Sequence, residues 1–145
     1  MIKTLQILIP VLLFISCSVE PKPIDFGKDM CVFCKMSIVD KQHAAELVTS
    51  KGKVYVFDAI ECMFQYLHVE DKTTEYAHYL VCDFDQPGVL VDAKKATYLI
   101  SDAIPSPMGA FLSGFSDPLR ARQMKELKGG VLYDWTSLSN QIKIN

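Results

Sequence analysis

In "AAELVTSKGKVYVFD" two apolar-rich runs flank a polar break at "SKGK". Leu47 and Val48 precede the break, and Val54, Val56 and Phe57 follow it, which predicts a β-hairpin with Gly52 at the turn. The period then changes. In "DAIECMFQYLHVE", Ile60, Met63, Phe64 and Leu67 fall at i, i+3, i+4 and i+7, one apolar face of a helix. Asp58 stands at the N-cap position with Glu61 three residues on, the pattern of a capping box. "DKTTE" ends the periodicity, and "YAHYLVCDF" reads as a strand.

The second half follows the same order. "KATYLIS" reads as a strand, and "GAFLSGFS" as a strand interrupted by glycine. "DPLRARQMKELKGG" reads as a helix with Asp117 at its cap, Pro118 at its first position and Gly129 past its end. "GVLYDW" is a third strand, and "TSLSNQIKIN" a short terminal helix. Phe57–Asp58 and Ser116–Asp117 both lead into helices, and "VCDF" and "LYDW" both close units. The expected fold is therefore α+β, built from tandem ββαβ units.

The first 16 residues do not share this patterning. "MIKTLQILIPVLLFIS" has one lysine, then an apolar run from Leu5 to Ile15 broken by Pro10, too short to span a membrane as a helix. It reads as a signal peptide. The following "FISC" resembles a bacterial lipobox, which makes Cys17 the expected site of lipidation. An ordinary signal peptide with an incidental cysteine is the plainer alternative. Residues 17–28, with two prolines in "SVEPKPIDFG", are expected to form an extended tether, and residues 29–145 one domain. The formal net charge of −2 over 145 residues comes without any basic run, which argues against nucleic acid as a partner.

The chemistry concentrates in "MCVFCKMSIVD". A C-x-x-C pair alone fits a redox disulfide, half a zinc site or two small buried residues. Here Met30 precedes Cys31, and Met36 follows Cys34 by two places. Thiolate and thioether are soft donors suited to Cu(I), whereas zinc takes thioether poorly. Met36 could equally begin a strand with Ile38 facing inward. Met63 lies on the apolar helical face, where packing explains it without a metal. Cys62 and Cys82 read as small buried residues. Met108 in "IPSPMGAF" is held between prolines and Gly109 on a tight corner, either as a thioether ligand or as an apolar plug. Among the histidines, His43 has the best claim as a ligand because it lies nearest the sulfurs; His68 and His78 show no paired spacing.

Together, "FISC", "CVFCKMSIVD", "AAEL", "FDAIECMFQYL", "VDAKKATYLI", "PMGAF" and "GGVLYDW" resemble, in order, the NosL family of copper-binding lipoproteins. That resemblance implies a fold of paired ββαβ units related to the organomercurial lyase fold. It also implies Cu(I) binding in the periplasm, at the outer face of the cytoplasmic membrane, and delivery of copper to nitrous oxide reductase. By motif it nominates Cys31, Cys34, Met36, Met63 and Met108 as metal ligands. Met30 has no counterpart in the pattern.

The expectation is a metallochaperone, not an enzyme. Two rivals remain at this level. The C-x-x-C pair could belong to a periplasmic thiol–disulfide oxidoreductase, although it precedes the first strands instead of opening a helix. The cysteines could instead pair as disulfides, Cys31–Cys34 or Cys62–Cys82, in a lipoprotein adaptor.

Overall fold

The computed structural model describes residues 19–70 and 72–142; the signal-like segment and Cys17 lie outside the described residues. The first hairpin is β1 (Ala45–Thr49) and β2 (Val54–Phe57), with Gly52 in the left-handed region at φ 80°. Helix α1 (Ile60–Val69) follows, then β3 (Tyr76–Asp83) and β4 (Gln86–Asp92). The second unit is β5 (Thr97–Ile100), β6 (Leu112–Phe115), α2 (Pro118–Lys128) and β7 (Val131–Tyr133), closed by α3 (Trp135–Gln141).

The strands form two antiparallel sheets, ordered β2-β1-β3-β4 and β6-β5-β7. In each unit the first strand is central, flanked by its hairpin partner and by the strand that follows the helix. This is the tandem ββαβ arrangement expected from the sequence. The addition is β4, a strand that the alternation of apolar and polar residues does not announce. Its proline and glycine and its largely exposed pattern suit it to the sheet edge it occupies.

The helix ends show which local signals prevail. Asp117 caps α2 by accepting from the Leu119 amide, with Pro118 at the first helical position and Gly129 (φ 74°) at the C-cap. Asp58 and Glu61 do not form the expected capping box. The N-cap of α1 is Ala59, without a side-chain cap bond. Both carboxylates are buried and taken by tertiary partners: Asp58 by the Val39 amide and Glu61 by the loop before β6. Both groups are buried, so the donors packed against them in the fold, not the free amides of the helix end, take their hydrogen bonds.

The main core joins sheet one and α1 to the inner residues of sheet two and contains Leu47, Phe57, Ile60, Phe64, Val81 and Tyr98. A smaller core under α2 contains Leu99, Ile104, Phe115 and Ala121. The units join where the Phe84 amide donates to Gly114 O at 2.8 Å. Every residue of β1 is buried, so both faces of that strand are covered. One cover is the segment expected as a tether: the Lys22 amide donates to the buried Glu46 carboxylate at 3.0 Å, and Val19 O lies 3.0 Å from His78 Nε2. Burial raises the Glu46 pKa.

Candidate metal centre

"DMCVFCKMSI" folds back on itself before the first hairpin. Met30 bridges Ser37, the Ile38 amide donates to Asp29 O at 2.9 Å, and the Cys31 amide to Met36 O at 2.8 Å. The Lys35 amide closes the turn onto Cys31 O at 3.0 Å, with Lys35 in the left-handed region at φ 65°. One further bond, from the Val32 amide to Val56 O at 3.0 Å, docks this loop on β2, just before the chain turns into α1. The loop's cysteines thereby meet the first turn of that helix.

Three sulfurs result. The Sγ atoms of Cys31, Cys34 and Cys62 all lie within 4.8 Å of one another. A metal at the centre of a trigonal thiolate set, with bonds of about 2.3 Å, spaces its sulfurs at roughly 4 Å, so little movement separates this arrangement from a bound site. Cys31 and Cys62 are fully buried; Cys34 is partly exposed. All four described cysteines are free thiols, and Cys82, buried in β3, stands apart from the group.

The two buried thiols share a proton unequally. The hydrogen bond from Cys62 lowers the Cys31 pKa against the opposing effect of burial, and the backbone amides of Asp58, Cys34 and Phe33 lower it further. The Cys34 amide reaches Cys31 Sγ at 3.4 Å. Cys62 is driven up, first by donating that bond and then by burial. Burial also raises Cys34. Of the three thiols, Cys31 is the one whose surroundings favour the thiolate, while those of Cys34 and Cys62 favour S–H.

Two buried carboxylates stand at the same helix start. Asp58 Oδ1 and Glu61 Oε2 have no hydrogen-bond partner, while the second oxygen of Glu61 accepts from Ser106 Oγ at 2.5 Å and from the Ala110 amide at 3.3 Å. A buried thiolate beside orphaned carboxylate oxygens is an environment that favours a cation. The donor set is soft. Among the described residues the group of thiol, imidazole and carboxylate donors stops at three, one short of the four that close a structural zinc site.

The methionines nominated from sequence take different positions. Met36 is 51% exposed beside the cysteine loop while Ile38 is buried, so it is no core residue. Met108 is 40% exposed at the corner between Ser106 and Ala110, the two residues that Glu61 holds. Met63 is fully buried in the main core on α1. Met30 is 56% exposed.

His43 is accounted for without a metal. Its Nδ1 lies 2.9 Å from Asp40 Oδ2 and its Nε2 lies 3.2 Å from Ser113 Oγ, and no thiol group includes it. The order Asp–His–Ser looks like a nucleophilic triad, but the Ser113 hydroxyl is fully buried in β6 and offers nothing to a substrate. The pair clips the segment before β1 to the second sheet.

Cys62 is the member that sequence reasoning missed as a donor. Its neighbour Met63 drew attention because it fits the helical apolar stripe. The available signal was position: Cys62 sits in the first turn after "FD", on a helix that begins where the hairpin ends.

The sequence model of the NosL family matches residues 23–142. No curated protein matches the chain. Among solved structures, the copper chaperone NosL from Shewanella denitrificans superposes with a TM-score of 0.71 at 23% identity, covering 82% of this chain and 95% of that one. At that identity the likeness is one of fold.

Proposed function

The chain belongs to the NosL family, and on that premise we propose that it is a Cu(I) metallochaperone, not an enzyme, that passes copper to a cuproenzyme such as nitrous oxide reductase. The observation that carries the reading is the convergence of Cys31, Cys34 and Cys62, from two separate segments, within 4.8 Å. Soft thiolates in a group of only three donors suit Cu(I), which needs few ligands. Copper is cargo here, so release matters as much as affinity. Cys31 and Cys62 are buried and would hold the ion, whereas Cys34 is partly exposed and would be the first sulfur displaced by an incoming ligand of the client. Ion transfer then proceeds by ligand exchange without free copper. The exposed thioethers of Met36 and Met108 are weaker donors on the same side of the chemistry, able to join or leave as thiolates exchange.

The same observations weigh against a thiol–disulfide oxidoreductase. Such an enzyme needs its activated thiolate at the surface. Here the lowered thiol, Cys31, is fully buried, and the accessible Cys34 is raised.

The proposal extends to location. The lipobox-like "FISC" supports an anchor at Cys17, with the domain in the periplasm at a bacterial membrane. Globomycin-sensitive processing of the full chain, abolished by Cys17→Ala, is the expected result; processing insensitive to both would reject the anchor. For the activity, anaerobic titration with Cu(I) against a chelator of micromolar affinity should show about one tight site per chain. Loss of all copper to the chelator would reject it.

A further inference from the structure

The cysteine helix and the Met108 loop lie 45 residues apart in sequence between Glu61 and Ser106, yet one carboxylate joins them. Glu61 Oε1 accepts from Ser106 Oγ at 2.5 Å and from the Ala110 amide at 3.3 Å. Ser106 Oγ in turn accepts from the Phe111 amide at 2.9 Å, and the Gly109 amide donates to Ser106 O at 3.0 Å. Met108 is thus spanned by two residues that a single side chain holds. The loop also carries a backbone conformation that does not persist unaided: Phe111, a bulky residue, stands at φ 56°. Glu61 is fully buried, and it neighbours Cys62 on the first turn of α1. Its position in the sequence matches a helix cap, but its bonds go to the loop instead.

We propose that Glu61 is a positioning residue that fastens the Met108 loop to the cysteine-bearing helix turn, so that the loop's thioether is presented to the thiol site. Glu61 itself need not touch the metal. It fixes, through two hydrogen bonds, where the soft donor from the second unit can stand relative to the thiols of the first. The inference rests on the copper reading for its consequence, but the fastening itself does not require metal.

The test compares Glu61→Ala with Glu61→Gln in the metal-free and Cu(I)-loaded protein. Glutamine keeps an oxygen acceptor for both donors; alanine keeps none. In metal-free protein, hydrogen exchange at the Ala110 and Phe111 amides should accelerate by about 10-fold or more in Glu61→Ala and by less than about 3-fold in Glu61→Gln. In loaded protein, X-ray absorption should show that Glu61→Ala loses the same sulfur contribution as Met108→Leu, while Glu61→Gln retains it. Unchanged exchange in Glu61→Ala, or a Glu61→Gln variant as impaired as the alanine one, would overturn the fastening. A sulfur shell unaffected by Met108→Leu or by Glu61→Ala would overturn the presentation of the thioether. If Glu61→Ala does not fold, Ser106→Ala removes the bridging hydroxyl and is read the same way at Phe111. Wild-type protein that binds no Cu(I) would reject the copper reading alone, and the exchange comparison would still decide the role of Glu61.

Discussion

Cys62 and Cys82 are both fully buried cysteines of the main core, and only one belongs to the thiol group. Changing each to alanine separates packing from chemistry. Either change removes one heavy atom from a close-packed site, a loss comparable to an Ile→Val deletion, about 1 kcal/mol. Cys62→Ala also removes the S–H that stabilises the Cys31 thiolate; a hydrogen bond to a charged acceptor adds about 1.5–3 kcal/mol. Urea unfolding of the metal-free protein should therefore show a loss of about 1 kcal/mol for Cys82→Ala and about 2.5–4 kcal/mol for Cys62→Ala. Copper binding should diverge much further. Altering a group outside the coordination shell typically costs 10–100-fold in metal affinity, so losing a direct sulfur should exceed about 100-fold. Anaerobic competition against a Cu(I) chelator should find Cys82→Ala within about 10-fold of wild type and Cys62→Ala weaker than that limit. Equal affinities for the two variants would refute the assignment of Cys62, because buried volume would then be all that distinguishes either residue from alanine.

Proton release offers a second check. The pKa of Cys31 is lowered, chiefly by the hydrogen bond from Cys62, while those of Cys62 and Cys34 are raised. Cu(I) binding near neutral pH should therefore displace about two protons where three ordinary thiols would displace about three, as read by a pH indicator in weak buffer. The Cys31 shift also has a sign for stability: its folded pKa is depressed, so raising the pH toward the ordinary thiol range stabilises the metal-free fold, and acidification through the folded pKa removes that contribution. Calorimetry of wild type and Cys31→Ser across that range should show the slope only in wild type. At Gly130 a Cβ would lie 2.2 Å from Ile100 O with φ at 104°, whereas at Gly129 it would meet open space with φ at 74°. Gly130→Ala should cost more than about 3 kcal/mol and Gly129→Ala about 1–2 kcal/mol in denaturant unfolding. His43→Ala should lower stability by about 2–3 kcal/mol, because the Ser113 hydroxyl is left buried and unpaired, yet leave Cu(I) affinity within about 3-fold of wild type.

The units were legible because their signals are local. Gly52 at the hairpin turn, and Asp117, Pro118 and Gly129 around α2, act within a few residues of themselves, and each does in the fold what its position predicts. β4 was not legible, since an edge strand with one solvated face has little apolar alternation to show. Asp58 and Glu61 mislead for the opposite reason. They satisfy a local rule, but burial beside Val39, Ser106 and Ala110 offers better donors than the helix end does. Two of the three thiols could be read from C-x-x-C. The third depends on Val32 pairing with Val56, a contact across the chain that no spacing encodes, and it is this pairing that brings Cys31 to Cys62. The methionines pointed to soft-metal chemistry, and the third thiol supplies a centre to which that chemistry can attach.

We propose that three thiols from two segments form one copper site. The most direct measurement is Cu K-edge X-ray absorption on protein loaded anaerobically with about one equivalent of Cu(I), comparing wild type with Cys31→Ser, Cys34→Ser and Cys62→Ser. A first shell of about three to four sulfurs is expected in wild type, with a loss of sulfur, or of copper, in each variant. A first shell of nitrogen and oxygen in wild type, or a sulfur shell indifferent to Cys62→Ser, would contradict it.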